Sequence, residues 1–253
     1  MGVGPGIASP AVGFICLNRP IIGSSKGSSR APRAASRFPF SFTLPTHALR
    51  HRCLGAAAAS VLSVPSASKS ELCSSLLVAM PQMADPNFRR AVVLVVHHDE
   101  ASTFGLVLNR EVELSVRELC DSLEFSWNGG TSEEVAWGGP VESNTGWLLY
   151  QDDLDTDVEE DQISRLDGEL CFAGSMDVLE RLAARPPHDL RIFLGYAGWG
   201  GGQLEFELAQ GAWVVAPLSP DVVFDVPVDE MWDHVLRAMK IDPATLISTV
   251  GVH

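Results

Sequence analysis

The stretch LGYAGWGGGQLEFEL, from Leu194 to Leu208, contains five glycines, three of them consecutive. A chain gives up side chains at this density where its backbone bends sharply or closely approaches another group. The segment follows an apolar run and precedes a helical pattern, so we predict a tight turn between a strand and a helix. The alternative is a loop whose free main-chain N–H groups hold an anion.

Neither of the two familiar phosphate-binding motifs fits this segment. In a Walker A loop, the lysine position would be occupied by Gly201. In the dinucleotide fingerprint, Gln203 stands where the third glycine belongs. Glu205 and Glu207 also bring negative charge to the first turns of the predicted helix, where an anion would otherwise be favoured. We therefore expect the glycines mainly to allow the tight turn between the strand and the helix, and not to bind a ligand.

Charge divides the chain into two segments. Residues 1–70 contain no Asp or Glu, so all 32 acidic residues lie in 71–253, together with 10 of the 18 Lys and Arg residues. The first segment is rich in Ser, Ala, Pro and Arg and has no hydrophobic period, which is typical of an organelle transit peptide. We predict a transit-type extension over 1–70 and delivery to the plastid stroma. The alternative location is the mitochondrion or the cytoplasm. The alternative to a transit segment is a merely disordered tail.

Residues 71–253 are long enough for one domain with a sizeable core. Short apolar runs bounded by turn residues predict strands at 75–80, 91–99, 104–109, 190–198 and 212–218. Two more strands, VAWGGPV and GWLLYQ, are predicted on either side of a turn around residues 142–146, and ELCFAG is another. The acidic run 152–162 should remain solvated. Strands and helices mix without regular alternation, which predicts an α+β fold with a curved, mixed or mostly antiparallel sheet flanked by helices.

Capping residues predict the helices. Ser115 and Glu118 form a capping box before a short helix. Ser175 precedes a helix that Pro186 and Pro187 end, and Gly211 ends the helix after the glycine segment. We expect Asp229 to cap a final amphipathic helix whose apolar face carries Met231, Val235, Leu236 and Met239.

The sequence offers no pattern for catalysis, a metal or a cofactor. His97 and His98 are adjacent in a predicted strand, so they point to opposite faces and cannot hold one metal together. The cysteines of 71–253, at 73, 120 and 171, have no metal-binding spacing and are expected to be core residues. Arg89, Arg90 and Arg110 stand out in the acidic background, either to bind an anion or to pair with local acids.

Direct nucleic-acid binding is disfavoured, and no membrane span is expected. DNA binding draws its affinity largely from Lys and Arg side chains at the phosphates. Residues 71–253 have 10 such residues and 32 acidic ones, and this excess of negative charge would repel a duplex. No apolar run of the sequence is long enough to span a bilayer.

Three stretches together resemble the YqgE/AlgH family, and the resemblance runs from about residue 72 to 247. They are LLVAMPQMADPNFRRAVVLVVHHDEASTFGLVLNR, AWGGPVESNTGWLLY and FLGYAGWGGGQLEFELAQGAWVVAP. The resemblance implies an α+β fold with a coiled, partly barrel-like sheet. It implies no established biochemical activity, although some members of the family carry the label of transcriptional regulator.

The motif residues of that family suggest a site. They stand at predicted strand ends or tight turns, and we expect them to gather in one concave patch that suits a small anionic ligand or a partner peptide. The candidate binding residues are Asn109, Arg110, Gly138, Gly139, Pro140, Tyr196, Gly198, Trp199 and Gln203.

The sequence leaves three classes of function open. The first is a non-enzymatic binding or regulatory module that acts through an unknown protein partner or a small anionic ligand. The second is a hydrolase-type enzyme that uses the region of Asn109, Arg110 and Tyr196, although the motifs supply no evident base or nucleophile. The third is a transcriptional regulator that acts without strong direct contact to DNA.

Overall fold

The protein is described here by a computed structural model, which covers residues 72–131, 133–151, 163–168 and 170–248. The predicted transit segment and the acidic run 152–162 lie outside these residues, so the boundary of the folded domain stays a prediction.

The described residues form an α+β domain with ten strands and six α-helices. The strands are Ser75–Ala79 (β1), Val92–His98 (β2), Ser102–Val107 (β3), Glu111–Ser115 (β4), Glu134–Trp137 (β5), Val141–Gln151 (β6), Ile163–Asp167 (β7), Leu170–Ala173 (β8), Leu190–Gly200 (β9) and Trp213–Pro217 (β10). The helices are Val116–Ser122 (α1), Met176–Ala184 (α2), Gln203–Ala209 (α3), Pro220–Phe224 (α4), Met231–Ala238 (α5) and Pro243–Ser248 (α6). A short 3-10 helix, Pro86–Phe88, precedes β2.

The sheet curls into a half-barrel whose two parts share β9. Its strand order is β10-β1-β2-β3-β9-β6-β8-β7, with β5 also on β9 and β4 on β5. The pairing of β5 with β9 is parallel, and the other pairings among the described residues are antiparallel. The α+β class and the mostly antiparallel, curved sheet predicted from the sequence are therefore confirmed.

Strand β9 passes from one layer of the core to another at Gly195, opposite the bulge that β6 forms at residues 142–145. Ile192 and Leu194 pack with α1 and α2, whereas Phe193 and Tyr196 belong to the cluster beneath α5. Beyond the bulge, Ala197 and Trp199 pack in a third cluster with Leu204 of α3. Gly195 has φ +73°, a conformation that glycine adopts without steric cost.

The helices cover the sheet as their apolar faces dictate. Met231, Val235 and Leu236 are buried in the main core and Met239 packs against it, which confirms the predicted face of α5. The capping box of α1 is also confirmed, since the Ser115 hydroxyl accepts from the Glu118 N–H and the Glu118 carboxylate accepts from the Ser115 N–H. Arg185 ends α2 just before the two prolines.

Four details of the sequence reading are corrected. Strand β9 continues to Gly200, so the turn before α3 is confined to Gly201 and Gly202. The predicted turn around residues 142–146 is an irregularity within the single strand β6, because Val141 pairs with Tyr196 and Gly146 with Leu194. Glu230, not Asp229, is the N-cap of α5, and α6 follows it. Strands β4 and β7 and helix α4 were not predicted, because short or polar segments give little periodic signal.

Candidate functional site

A turn before β2 carries two arginines on an irregular backbone. The Asp85 carboxylate accepts a hydrogen bond from the Asn87 N–H at 2.9 Å and begins the 3-10 helix Pro86–Phe88. Arg89 and Arg90 follow, both exposed, and Arg90 has φ +54°. A left-handed backbone at a residue other than glycine costs about 1 kcal/mol or more, so the surrounding structure has to hold it.

Asn109 holds this turn. It follows β3, and only 6% of its surface is exposed. Its amide oxygen accepts from the Val92 N–H and its amide nitrogen donates to the Arg90 carbonyl, each at 2.9 Å. The side chain therefore closes the backbone from Arg90 to Val92 into one fixed arrangement.

Arg110 binds the same turn from the next position. One terminal nitrogen donates to the Asn109 carbonyl at 2.7 Å, and the other donates to the Arg89 carbonyl. Burial lowers the pKa of this half-buried guanidinium, and the positive charge of Arg90 lowers it further. Two like charges therefore stand close together on a rigid frame.

Helix α5 supplies the facing wall. The Arg90 guanidinium carbon lies 4.5 Å from the centre of a Trp232 ring, and one of its nitrogens contacts an Asp233 carboxylate oxygen at 2.7 Å. Trp232 is buried, and its indole N–H donates to the Ala79 carbonyl at 2.7 Å. This network fixes Arg90 between the sheet and the helix.

An open cleft of about 540 Å³ lies between these elements, which we call the arginine cleft. Its lining residues are Pro86, Arg89, Arg90, Asn109, Arg110, Glu111, Val228, Asp229 and Trp232. It thus gathers three of the 10 basic residues of 71–253. Among the described residues, no carboxylate pairs with the Arg89 guanidinium. The cleft therefore brings three arginine side chains together on one surface of an acidic domain.

A fourth arginine lies nearby but is engaged within the core. Arg191 donates to the Val223 and Leu108 carbonyls at 3.0 and 2.7 Å, and its guanidinium packs 5.2 Å from the centre of the Phe193 ring. Burial lowers the pKa of Arg191 to about 10. Arg191 therefore connects β9 to α4 and to Leu108, the residue after β3, and it is not among the lining residues of the cleft.

The predicted residues Gly138, Gly139 and Pro140 lie where the β5–β6 connection crosses β9. A β-carbon on Gly138 or Gly139 would collide with the main chain of Gly195 or Tyr196. The reverse also holds, since a β-carbon on Gly195 would strike the Gly139 carbonyl. These glycines allow two stretches of main chain to touch, so the close approach that the sequence indicated at Gly195 is to the β5–β6 connection.

Tyr196 faces the core beside this crossing. Its ring stacks on Phe104 at 4.7 Å and meets the edge of Trp147 at 6.1 Å. Burial raises the pKa of the Tyr196 hydroxyl, and the carboxylate of Glu142 raises it further. Gly198 lies against the same ring, because a β-carbon added to Gly198 would stand 3.2 Å from Tyr196 Cε2.

Trp199 and Gln203 belong to a third group around Glu207 of α3. One oxygen of the Glu207 carboxylate accepts from the indole N–H groups of Trp199 and Trp213, at 3.0 and 2.8 Å. The other oxygen accepts from the Gln203 amide at 2.9 Å, and the Gln203 oxygen accepts from the Gly200 N–H at 3.1 Å. This network fastens α3 to the sheet.

The nine predicted site residues therefore occupy three places. Asn109 and Arg110 line the arginine cleft, whereas Gly138, Gly139, Pro140, Tyr196, Gly198, Trp199 and Gln203 are not among its lining residues. Sequence reasoning noticed Arg89 and Arg90 but missed Asp229, Trp232 and Asp233. The adjacent Trp232 and Asp233 on α5 were the available signal, but the sequence alone does not show that they lie next to the arginines.

Among the described residues, His98 comes nearest to a catalytic arrangement, because its ring lies between a hydroxyl and a carboxylate. His98 Nδ1 lies 2.7 Å from Thr103 Oγ1, and its Nε2 lies 3.6 Å from a Glu205 oxygen. Thr103 is only 3% exposed, however, so its hydroxyl is buried and not presented at the surface. Burial raises the pKa of the Cys120 thiol to about 11, which keeps it protonated and unreactive. Within the described residues, no group of three or more His, Cys, Asp or Glu side chains could hold a metal ion.

None of the helices in the described part of the chain is long and apolar enough to cross a membrane.

Comparison with known proteins gives consistent matches over the folded part. A family model described as AlgH-like matches residues 76–244. The chain is 37% identical over 184 residues to a UPF0301 protein of Jannaschia sp., covering 72% of this chain and 95% of the relative. It is 38% identical over 183 residues to a UPF0301 protein of Myxococcus xanthus, covering 72% and 98%.

Two solved structures share the fold. The solution structure of the AlgH protein from Pseudomonas aeruginosa matches with a TM-score of 0.58 and 34% identity, over 75% of this chain and all of that one. A crystal structure of a protein from Corynebacterium diphtheriae matches with a TM-score of 0.57 and 25% identity, over 69% and 90%.

Proposed function

The chain belongs to the AlgH-like family, and from the arginine cleft that it carries we propose that the protein is a non-enzymatic binding module for a ligand with a small anionic group. The carrying observation is the placement of the Arg90 and Arg110 guanidinium groups at one cleft, close enough for the charge of Arg90 to lower the pKa of Arg110. An anion between them would relieve that repulsion, since opposite charge favours the charged form of each arginine.

Three features support a binding site over a purely structural cluster. Arg89 is exposed and has no carboxylate partner among the described residues, so all of its N–H groups are free for a ligand. Asn109 and Arg110 fix the turn that presents it, which reduces the entropy lost on binding. The volume of about 540 Å³ lies within the range of ligand sites.

The charge of the domain limits the size of the ligand. All 32 acidic residues lie in 71–253, so a long polyanion such as nucleic acid would be repelled wherever it extended beyond the cleft. A compact anion avoids that repulsion. We therefore propose that the protein acts by binding a small ligand or a protein partner and not by reading DNA.

Inorganic phosphate tests the proposal on the full-length chain. Thermal unfolding is recorded at constant ionic strength while phosphate replaces chloride, for the wild type, Arg89→Gln and the matched control Arg185→Gln. Arg185 is exposed at the end of α2, so its loss removes the same charge away from the cleft. A ligand at 100 times its Kd stabilises the native state by about 2.7 kcal/mol.

We expect phosphate to stabilise the wild type and Arg185→Gln, with at least about tenfold weaker binding in Arg89→Gln. Asp233→Asn should bind phosphate more tightly than the wild type, because the carboxylate that competes for Arg90 at 2.7 Å is removed. Equal phosphate responses in the wild type and Arg89→Gln would contradict the proposal, as would no response in any of the four proteins.

A further inference from the structure

The arginine cleft is surrounded by acidic residues on several elements. Glu111 and Asp229 line it. Asp85 directly precedes Pro86, Glu113 lies on β4 two residues after Glu111, and Glu230 follows Asp229. All five are exposed. The cleft is therefore a small cationic centre within an acidic rim.

The rim and the centre favour opposite charges in the same ligand. The three arginines stabilise a negative group, whereas the acidic rim stabilises positive groups placed around it. A free dianion satisfies only the centre, and a uniformly acidic peptide is repelled by the rim. A chain segment that carries one anionic group among basic residues satisfies both.

The donors left at the centre suit a phosphoryl group better than a carboxylate. Arg110 gives both terminal nitrogens to main-chain carbonyls, and Arg90 gives one nitrogen to Asp233. Arg89 keeps all five N–H groups, and Arg90 keeps its remaining ones. A phosphoryl group presents three strong acceptor oxygens and about −1.5 to −2 charge, which matches several N–H groups from two directions.

The openness of the cleft indicates a ligand that remains partly in solvent. Pro86, Arg89, Arg90 and Asp229 are all exposed, so the walls do not close over an occupant. Small-molecule sites bury most of their ligand. An open site with a rigid base is the arrangement expected for one side chain that a longer polypeptide presents.

Resting on the proposed function, the geometry points to a protein partner whose basic segment presents one phosphorylated side chain to the arginine cleft. The phosphoryl group binds Arg89 and Arg90 on the frame that Asn109 and Arg110 hold. Lysine or arginine residues next to the phosphorylated position bind the rim at Glu111 and Asp229.

Fluorescence anisotropy with labelled twelve-residue peptides tests this partner on the full-length chain. Three peptides are compared, each with one central residue: phosphoserine with basic neighbours, serine with the same neighbours, and phosphoserine with acidic neighbours. The proteins are the wild type, Arg89→Gln, the control Arg185→Gln, and the double variant Glu111→Gln/Asp229→Asn. Free phosphoserine and a single-stranded oligonucleotide serve as competitors.

We expect the basic phosphopeptide to bind at least about tenfold more tightly than either other peptide. Arg89→Gln should weaken it at least about tenfold, and Arg185→Gln should leave it unchanged. The double variant should reduce the preference for basic neighbours while its response to inorganic phosphate persists.

One result would overturn the inference while leaving the proposed function intact. In it, the phosphate response depends on Arg89, but the basic phosphopeptide binds no better than free phosphoserine. An oligonucleotide that displaces the peptide with higher affinity would overturn the inference and also contradict the limit on ligand size. If neither phosphate nor peptide binding depends on Arg89, the proposed function and the inference fail together.

Discussion

The main-chain carbonyl oxygen of Gly139 lies so close to Gly195 that a β-carbon at Gly195 would collide with it. Gly195 also has φ +73°, so two independent constraints exclude a side chain there. We predict that Gly195→Ala lowers the free energy of unfolding by about 3 kcal/mol or more, from backbone strain and from the collision. Urea unfolding measures the loss.

Gly200→Ala is the matched control for that variant. A β-carbon at Gly200 meets nothing within 4 Å, and its φ is not positive. The substitution should therefore change the unfolding free energy by less than about 1 kcal/mol. Similar losses in the two variants would show that the crossing at Gly139 is not what requires the glycine.

Asn109 joins stability to ligand binding. Asn109→Ala removes the hydrogen bonds to Val92 and Arg90 and leaves the Val92 N–H unsatisfied, so we expect a loss of about 2 kcal/mol in the unfolding free energy. The left-handed turn at Arg90 should also loosen, which weakens phosphate binding several-fold. Calorimetric titration and urea unfolding measure the two effects. Asn144→Ala, at an exposed position, should change neither.

Glu207 fastens α3 through two indoles. Glu207→Ala removes the acceptor of Trp199 and Trp213, both almost fully buried, and we expect it to destabilise the protein by about 2 kcal/mol. The near-ultraviolet circular dichroism of the tryptophans should weaken in parallel. Glu180→Ala, an exposed position on α2, should leave both properties unchanged. An unaltered tryptophan signal in Glu207→Ala would contradict this role.

Asp99 gives the β2–β3 turn a pH dependence. The N–H groups of Ser102 and Ala101 hold the pKa of Asp99 below its usual value, and His97 lowers it further. A lowered folded-state pKa contributes stability that is present above about pH 4 and is lost as pH falls through the folded pKa. Because the side chain is half exposed, the contribution should stay below about 1 kcal/mol.

Two variants separate charge from geometry at Asp99. Asp99→Asn keeps an acceptor for the turn, so its stability deficit at pH 7 should shrink towards zero as pH falls below about 4. Asp99→Ala loses the turn hydrogen bonds, so part of its deficit should persist at every pH. A constant deficit in Asp99→Asn from pH 7 to pH 2 would refute the assignment.

The sequence predicted the elements whose signals are local. Ser115 with Glu118, and the apolar face around Val235, identify helices because each pattern lies within a few residues. Strand β4, with Glu111 and Glu113 exposed, carries no such run and depends on pairing with β5. Its existence follows from tertiary contacts, which override weak propensity.

The site was less accessible to prediction because its contacts are distant in sequence. Arg90 and Asp233 are 143 residues apart, and nothing in either segment indicates that α5 returns to the turn before β2. The glycines near Gly195 showed that the backbone closely approaches something. They could not show whether that partner is a ligand or the segment at Gly139, since both leave the same sequence pattern.

Strand β9 pairs with β3, β5 and β6, and these partners all precede it in the chain. During synthesis from the amino terminus, the nascent chain therefore carries three strands with unpaired edges until residue 200 has left the ribosome. Unpaired strand edges are prone to aggregation. The edges of β3, β5 and β6 consequently stay open to other chains until Leu190–Gly200 has been made and has paired with them.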